Sequence, residues 1–250
     1  MTALRFAGTL PPGALVRLDP VPVAAPAPIW LTADPDDLEF APQDPARVLG
    51  WRARGAPSCV AHAVAANPSG TTYRERALRF DAEVNGGLLL ADALSDAACL
   101  TLGLIFKADL PEARTLLTLQ PAGAEGSLFL DAKGADLRLG QKGGETELML
   151  QAEGAADQVT LVLLALDDGQ AWLAANGGAA VRAGTGLATA GPADLFIACR
   201  GARGGLRNKL GAFALSDVLI WPGQNLLAQA QNVAPSGAIA LWQERARHGL

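Results

Sequence analysis

The sequence predicts an all-β antiparallel sandwich. Three observations predict it: short apolar runs alternate with polar residues, turn residues separate them at roughly 8–12 residue spacing, and no long amphipathic helix interrupts them. A doubly wound α/β fold would need helices between its strands.

The elements follow in chain order. Residues 1–28 hold six prolines, at 11, 12, 20, 22, 26 and 28. Pro fixes φ and removes a donor, so this stretch reads as an extended arm that crosses the domain surface or docks on another protein, or else as a partly ordered N-terminus. Residues 34–47 are acidic and turn-rich, and residues 55–72 read as a long surface loop of Gly, Ala, Pro and Ser. From Ala77 the strands begin. Leu100, Leu102, Leu104 and Phe106 alternate with Thr101, Gly103, Ile105 and Lys107, the period-2 pattern of a strand with one face buried. Further strands are predicted over residues 115–119, 127–131, 136–140, 145–151, 158–166, 170–174, 194–200 and 211–221. Asp168-Gly169 and Asn176-Gly177-Gly178 are among the turns between them. Helix is predicted only near the end, over 225–232 and 236–248, with Ser236 as cap and Gly249 as stop.

Composition bounds the function. The chain has 250 residues, of which 50% are hydrophobic, enough for one large domain with a sizeable core. The net charge of −5 argues against bulk nucleic-acid binding. Cys59, Cys99 and Cys199 are too few, and odd in number, for a disulfide framework, and read as free thiols. No run of about 18 apolar residues is present, so no membrane span is expected. The first residues show no signal-peptide pattern, which predicts a chain made and first folded in the cytoplasm.

The order of the pieces resembles the laminin-G-like, concanavalin-A-like jelly-roll domains found in bacterial surface and phage-like particle proteins. Ile29-Trp30-Leu31-Thr32-Ala33-Asp34-Pro35 looks like the opening strand and turn, Val48–Arg52 like the second piece, and Ala77-Leu78-Arg79-Phe80-Asp81 like the third. Trp172–Gly177 looks like the family's aromatic and Asn-Gly strand, Phe213–Trp221 like its late strand, and Ala240–Leu250 like its closing helix. The resemblance covers residues 29–250 and implies a concanavalin-like jelly roll behind the arm of residues 1–28. It also puts all five Trp on framework positions. The family's ligand loop is here Ala82-Glu83-Val84-Asn85-Gly86-Gly87.

Domains of this kind hold calcium through loop oxygens, so the resemblance implies Asp81, Asn85 and Asp168 as ligands, although turn chemistry accounts for the same residues. No other cofactor is expected. Tyr73, in the predicted loop, is the aromatic free to stack on a sugar. The basic run from Arg200 to Lys209, with Arg203 and Arg207, is a solvated connector or a contact for a glycan or polyanion. Glu145 and Glu147 share a strand face but lack a third acid and aromatic company, so no catalytic residue is assigned. Neither the two His nor the three Cys fall in a nucleophile or zinc motif.

The expected function is a non-catalytic adhesion or structural module of a phage-like particle, such as a spike, a fibre or its base, with a gene transfer agent as one example. Its partners would be other particle subunits and a cell-surface polysaccharide. The alternatives are a concanavalin-like carbohydrate hydrolase or lyase acting through Glu145 and Glu147, and a pure scaffold.

Overall fold

The computed structural model describes residues 27–64, 70–84, 86–108, 113–142, 148–152, 158–186, 189–202, 210–228 and 235–250. Its elements in chain order are β1 (Ile29–Thr32), a 3-10 turn (Pro35–Asp37), β2 (Leu38–Ala41), β3 (Asp44–Ala53), β4 (Ala56–Ala63), β5 (Thr72–Arg74), β6 (Ala77–Phe80), β7 (Leu88–Leu94), β8 (Cys99–Ala108) and β9 (Arg114–Pro121). They continue with β10 (Leu128–Lys133), β11 (Asp136–Gln141), β12 (Leu148–Gln151), β13 (Val159–Asp167), β14 (Gln170–Ala175), β15 (Val181–Gly184), β16 (Ala193–Ile197), β17 (Phe213–Pro222) and α1 (Ser236–His248).

All pairings are antiparallel and they form two sheets. The first runs β15, β14, β13, β8, β17. The far edge of β17 is shared: β1 pairs with Asp217–Ile220 and β6 with Phe213–Leu215, and β5 adds to β6. The second sheet runs β12, β11, β10, β9, β16, β7, β4, β3, β2. A pairing of Arg47 on β3 with Thr72 on β5 ties the sheets together at one side. Leu102, Leu104 and Leu164 of the first sheet pack with Leu119, Leu130 and Leu195 of the second in the main core. The predicted all-β sandwich is the observed fold.

The first sheet is buried on both faces. Every residue from Leu100 to Phe106 is buried, as are Val159–Leu166 and Phe213–Trp221. The predicted half-exposed β8 is therefore corrected. Its outward residues lie under α1 and the segment after β17, in a second core of Ile105, Leu161, Leu163, Trp172, Leu219, Trp221, Leu227 and Ala238. Gly103 makes room there: a Cβ would meet Leu163 at 3.0 Å and the Trp221 ring at 3.4 Å. Thr101 spends its hydroxyl on this cover, donating to the Gln224 carbonyl (2.8 Å) and accepting from the Leu226 N–H (3.0 Å).

A buried ion pair fixes the helix. Asp217 is fully buried in β17 and accepts from Trp30 Nε1 (2.9 Å) and Arg245 Nε (2.8 Å). Arg245 also donates to Thr32 Oγ1 (3.0 Å), so β1, β17 and α1 meet at one carboxylate. The hydrogen bonds to Asp217 raise the Arg245 pKa further above its ordinary value. Trp242 adds a bond from Nε1 to the Val159 carbonyl (2.8 Å).

Three local expectations change. Residues 56–63 form β4 rather than loop. Residues 225–228 are not helical, and residues 229–234 lie outside the described residues. Ser236 is the first helical residue rather than the cap; Pro235 holds that position, and no side chain caps the helix. Gly249 ends the helix at φ 76° as predicted, in the left-handed region that suits glycine.

Candidate ligand cleft

A cleft of about 630 Å³ with a mixed polar and apolar lining opens between β5, β6 and the turn after β6. Its wall carries Thr72, Arg79, Asp81 and Glu83, beside Phe80 and the exposed Val84. Alternation in β6 explains the placement. Leu78 and Phe80 point into the core, and Arg79 between them points out. The chain then leaves the sheet in an Asx turn, in which Asp81 Oδ1 accepts from the Glu83 N–H (2.8 Å), so both carboxylates stay at the cleft. The Thr71 hydroxyl donates to the Gly86 carbonyl and pins the turn. Gly70 and Gly86 lack side chains where their backbones touch. On the other side of Arg79, its guanidinium donates to Glu75 (2.9 Å), at the tip of the β5–β6 hairpin.

This arrangement sets the carboxylates of Asp81 and Glu83 and the hydroxyl of Thr72 beside an apolar surface, with Arg79 along the same wall. Sugars present hydroxyls that donate and accept along with apolar C–H faces, so the donor and acceptor set can hold one.

The predicted site residues are scattered. Asp81 lines the cleft, and Tyr73 follows Thr72 on β5 but does not line it. Tyr73 lies on a strand rather than in a loop, half-buried against the main core, with its ring edge-on to Phe40 at 5.9 Å. Burial raises its phenol pKa. Asp168 is exposed in the β13–β14 turn at φ 44°. Asp167 pairs with Cys99 at the start of β8, whereas Phe80 pairs with Phe213, which pairs with Ala108 at its end. Asp81 and Asp168 thus sit near opposite ends of a ten-residue strand, roughly 30 Å apart at about 3.3 Å per residue, and one calcium ion cannot reach both. Asn85, Arg203, Arg207 and Lys209 lie outside the described residues, as do Glu145 and Glu147. Among the described residues, no group of three His, Cys, Asp or Glu could hold a metal.

Arg200 lies across the outer face of the second sheet. Its guanidinium stacks on Phe129 at 4.0 Å and donates to Asp131 Oδ2 (2.6 Å) and Thr115 Oγ1 (3.0 Å). Phe129 belongs to a row of register partners across this sheet: His62, Leu89, Phe196, Thr118, Phe129 and Gly140. Arg200 is therefore a side-chain clamp within the fold. Sequence reasoning missed Arg79 and Glu83 as cleft residues. The Arg-x-Asp-x-Glu alternation around Asp81 was the available signal, but the turn that brings the acids to the cleft is a tertiary feature.

No family model matches the chain, and no curated protein matches it. Solved structures do. Trypanosoma rangeli sialidase in complex with sialic acid is 15% identical with a TM-score of 0.56, over 88% of this chain and 33% of the sialidase chain. The same sialidase with a difluoro-KDN compound gives a TM-score of 0.59 at 15% identity and the same coverage. The binding domain of Paraclostridial Mosquitocidal Protein 1 gives a TM-score of 0.52 at 11% identity, over 84% of this chain and 52% of that one. This chain therefore spans about a third of the sialidase chains. At such identities the likeness shows the fold alone. It also overturns one expectation: sialidases are enzymes, so the sandwich occurs in enzyme chains, and the expected absence of enzymatic activity no longer stands.

Proposed function

We propose that this chain is a carbohydrate-binding module that holds a sugar in the cleft of Thr72, Arg79, Asp81 and Glu83. The observation that carries the reading is the cleft itself: Thr72, Arg79, Asp81 and Glu83 line one space of about 630 Å³. That size suits one or two sugar rings. The likeness in fold to a sialidase in complex with sialic acid and to a toxin's binding domain supports it. A glycan array followed by calorimetry tests it. Binding of at least one glycan class should weaken ten-fold or more in Asp81→Asn, with thermal stability kept because Asp81 is exposed and the amide oxygen still accepts from the Glu83 N–H. An array with no binder, or a binder indifferent to Asp81→Asn and Glu83→Gln, would sink the reading.

A hydrolytic reading is favoured by the two carboxylates in one cleft, the pair that most glycoside hydrolases use. It predicts release of sugar from a bound glycan and loss of that release in Glu83→Gln. No turnover of any glycan that binds would end it.

The finer reading places the module on a phage-like particle that is made in the cytoplasm and then released, at a spike, a fibre or its base, with neighbouring subunits as partners. The Pro-rich residues 1–28 ahead of the sandwich and the charged fraction of only 18% support it. Mass spectrometry of purified particles should find the chain, and particles without it would remove this reading.

A further inference from the structure

The cleft beside β6 has a sign of charge as well as a size. Its charged lining residues are Arg79, Asp81 and Glu83. Asp81 and Glu83 are exposed, and the turn holds them together through the bond from the Glu83 N–H to Asp81 Oδ1. Neither forms an ion pair among the described residues. Arg79 is the one cation that lines the cleft among the described residues. Its side chain is only 25% exposed, and it donates to Glu75, which does not line the cleft. Arg47 is the register partner of Thr72 but does not line the cleft either. The one lining guanidinium is thus met from outside, while the two carboxylates keep their charge for whatever enters.

We propose that this cleft selects a sugar with a free amine over its N-acetylated, neutral and acidic counterparts. The proposal rests on the reading of the cleft as a carbohydrate site and names the class of sugar. A protonated amine carries three donors and a positive charge. Asp81 and Glu83 offer it acceptors of opposite charge, and charge-assisted hydrogen bonds of this kind are shorter and stronger than neutral ones. An N-acetyl group keeps a single N–H and loses the charge. A carboxylated or sulfated sugar brings acceptors to acceptors, and like charges set against each other reject a ligand. The apolar lining does not separate these ligands. Val84 is exposed beside Ala82 and Ala212, a surface for the C–H face of any of their rings. The substituent on the ring therefore decides.

Calorimetry on the full-length protein with matched sugars tests the proposal, in mildly acidic buffer that keeps the amine protonated. Chitosan and chitin trisaccharides share a backbone and differ in amine against N-acetyl. Galactosamine and N-acetylgalactosamine repeat the comparison on a second ring, galactose and lactose supply the neutral arm, and glucuronic acid and sialyllactose the acidic one. The amine member of at least one pair should bind about five-fold or more tighter than its N-acetyl partner, and added salt should shrink that ratio. The net charge of −5 attracts any cation to the surface, so a variant must separate cleft from surface. Asp81→Asn with Glu83→Gln keeps hydrogen-bonding groups in place and removes both charges, and should bring the ratio within about two-fold of unity. A preference for the amine that survives this double variant would overturn the proposal. So would an N-acetylated, neutral or acidic sugar that binds as well as the amine and weakens in Asp81→Asn, an outcome that leaves the carbohydrate reading standing. Binding of no sugar in this set or on the array would remove both.

Discussion

The two sheets of the sandwich turn different outer faces to their surroundings. The first is roofed: α1 and the segment after β17 bury its outward residues, and β8, β13 and β17 are buried almost end to end. The second keeps a mixed outer face. Burial alternates along β10 and β11, and Met149 on β12 is 54% exposed. A roof lets a sheet spend both faces on stability, whereas an open face or an open end can carry polar groups that meet a ligand.

The largest effect should come from the bolt that holds the roof. Asp217→Ala strands Arg245, whose side chain is only 16% exposed, and should cost about 3–5 kcal/mol in urea unfolding. A loss below 1 kcal/mol would mean that apolar packing alone holds the helix. Next comes a matched pair of truncations. Leu163→Ala under the roof should cost about 2–5 kcal/mol, and Met149→Ala on the open sheet no more than about 0.5 kcal/mol. Equal costs would erase the contrast between the faces. Arg200→Ala removes the stacking on Phe129 and the pair with Asp131, and should cost about 1–2 kcal/mol, measured the same way.

The smallest effects are titrations. Burial pushes the Cys199 thiol up to about 12, so it should stay unalkylated in native protein at neutral pH while the half-buried Cys59 and Cys99 react first; peptide mapping reads the order. The Asp36 N–H and the Arg54 guanidinium lower the Asp34 carboxyl below its ordinary value. Its contribution to stability is therefore present above the ordinary carboxylate pKa and is lost as pH falls through the lowered one. An Asp34 titration by NMR that showed no such lowering would remove this contribution.

The strand series, the hairpin turns and the closing glycine were legible because each is local: alternation, Asp-Gly and Asn-Gly pairs, and a left-handed stop are written in neighbouring residues. The second face of β8 was not. Thr101, Gly103 and Ile105 read as a half-polar stripe, yet they are buried because residues more than a hundred positions later fold over them. Tyr73 read as a loop residue because its strand is three residues long and exists by pairing with β6.

The candidate site divides in the same way. Asp81 was legible as a turn acid after a strand, and its turn is local. That it shares a cleft with Arg79, Glu83 and Thr72 and lies about a strand's length from Asp168 depends on which strands pair. The sequence by itself determined an antiparallel sandwich, since period-2 hydrophobicity and turn chemistry act over a few residues. Only the tertiary structure decided which face is roofed and which polar residues meet. Those outcomes depend on β17 reaching β1, β6 and β8 at once, and on one buried carboxylate that ties both ends of the chain to it.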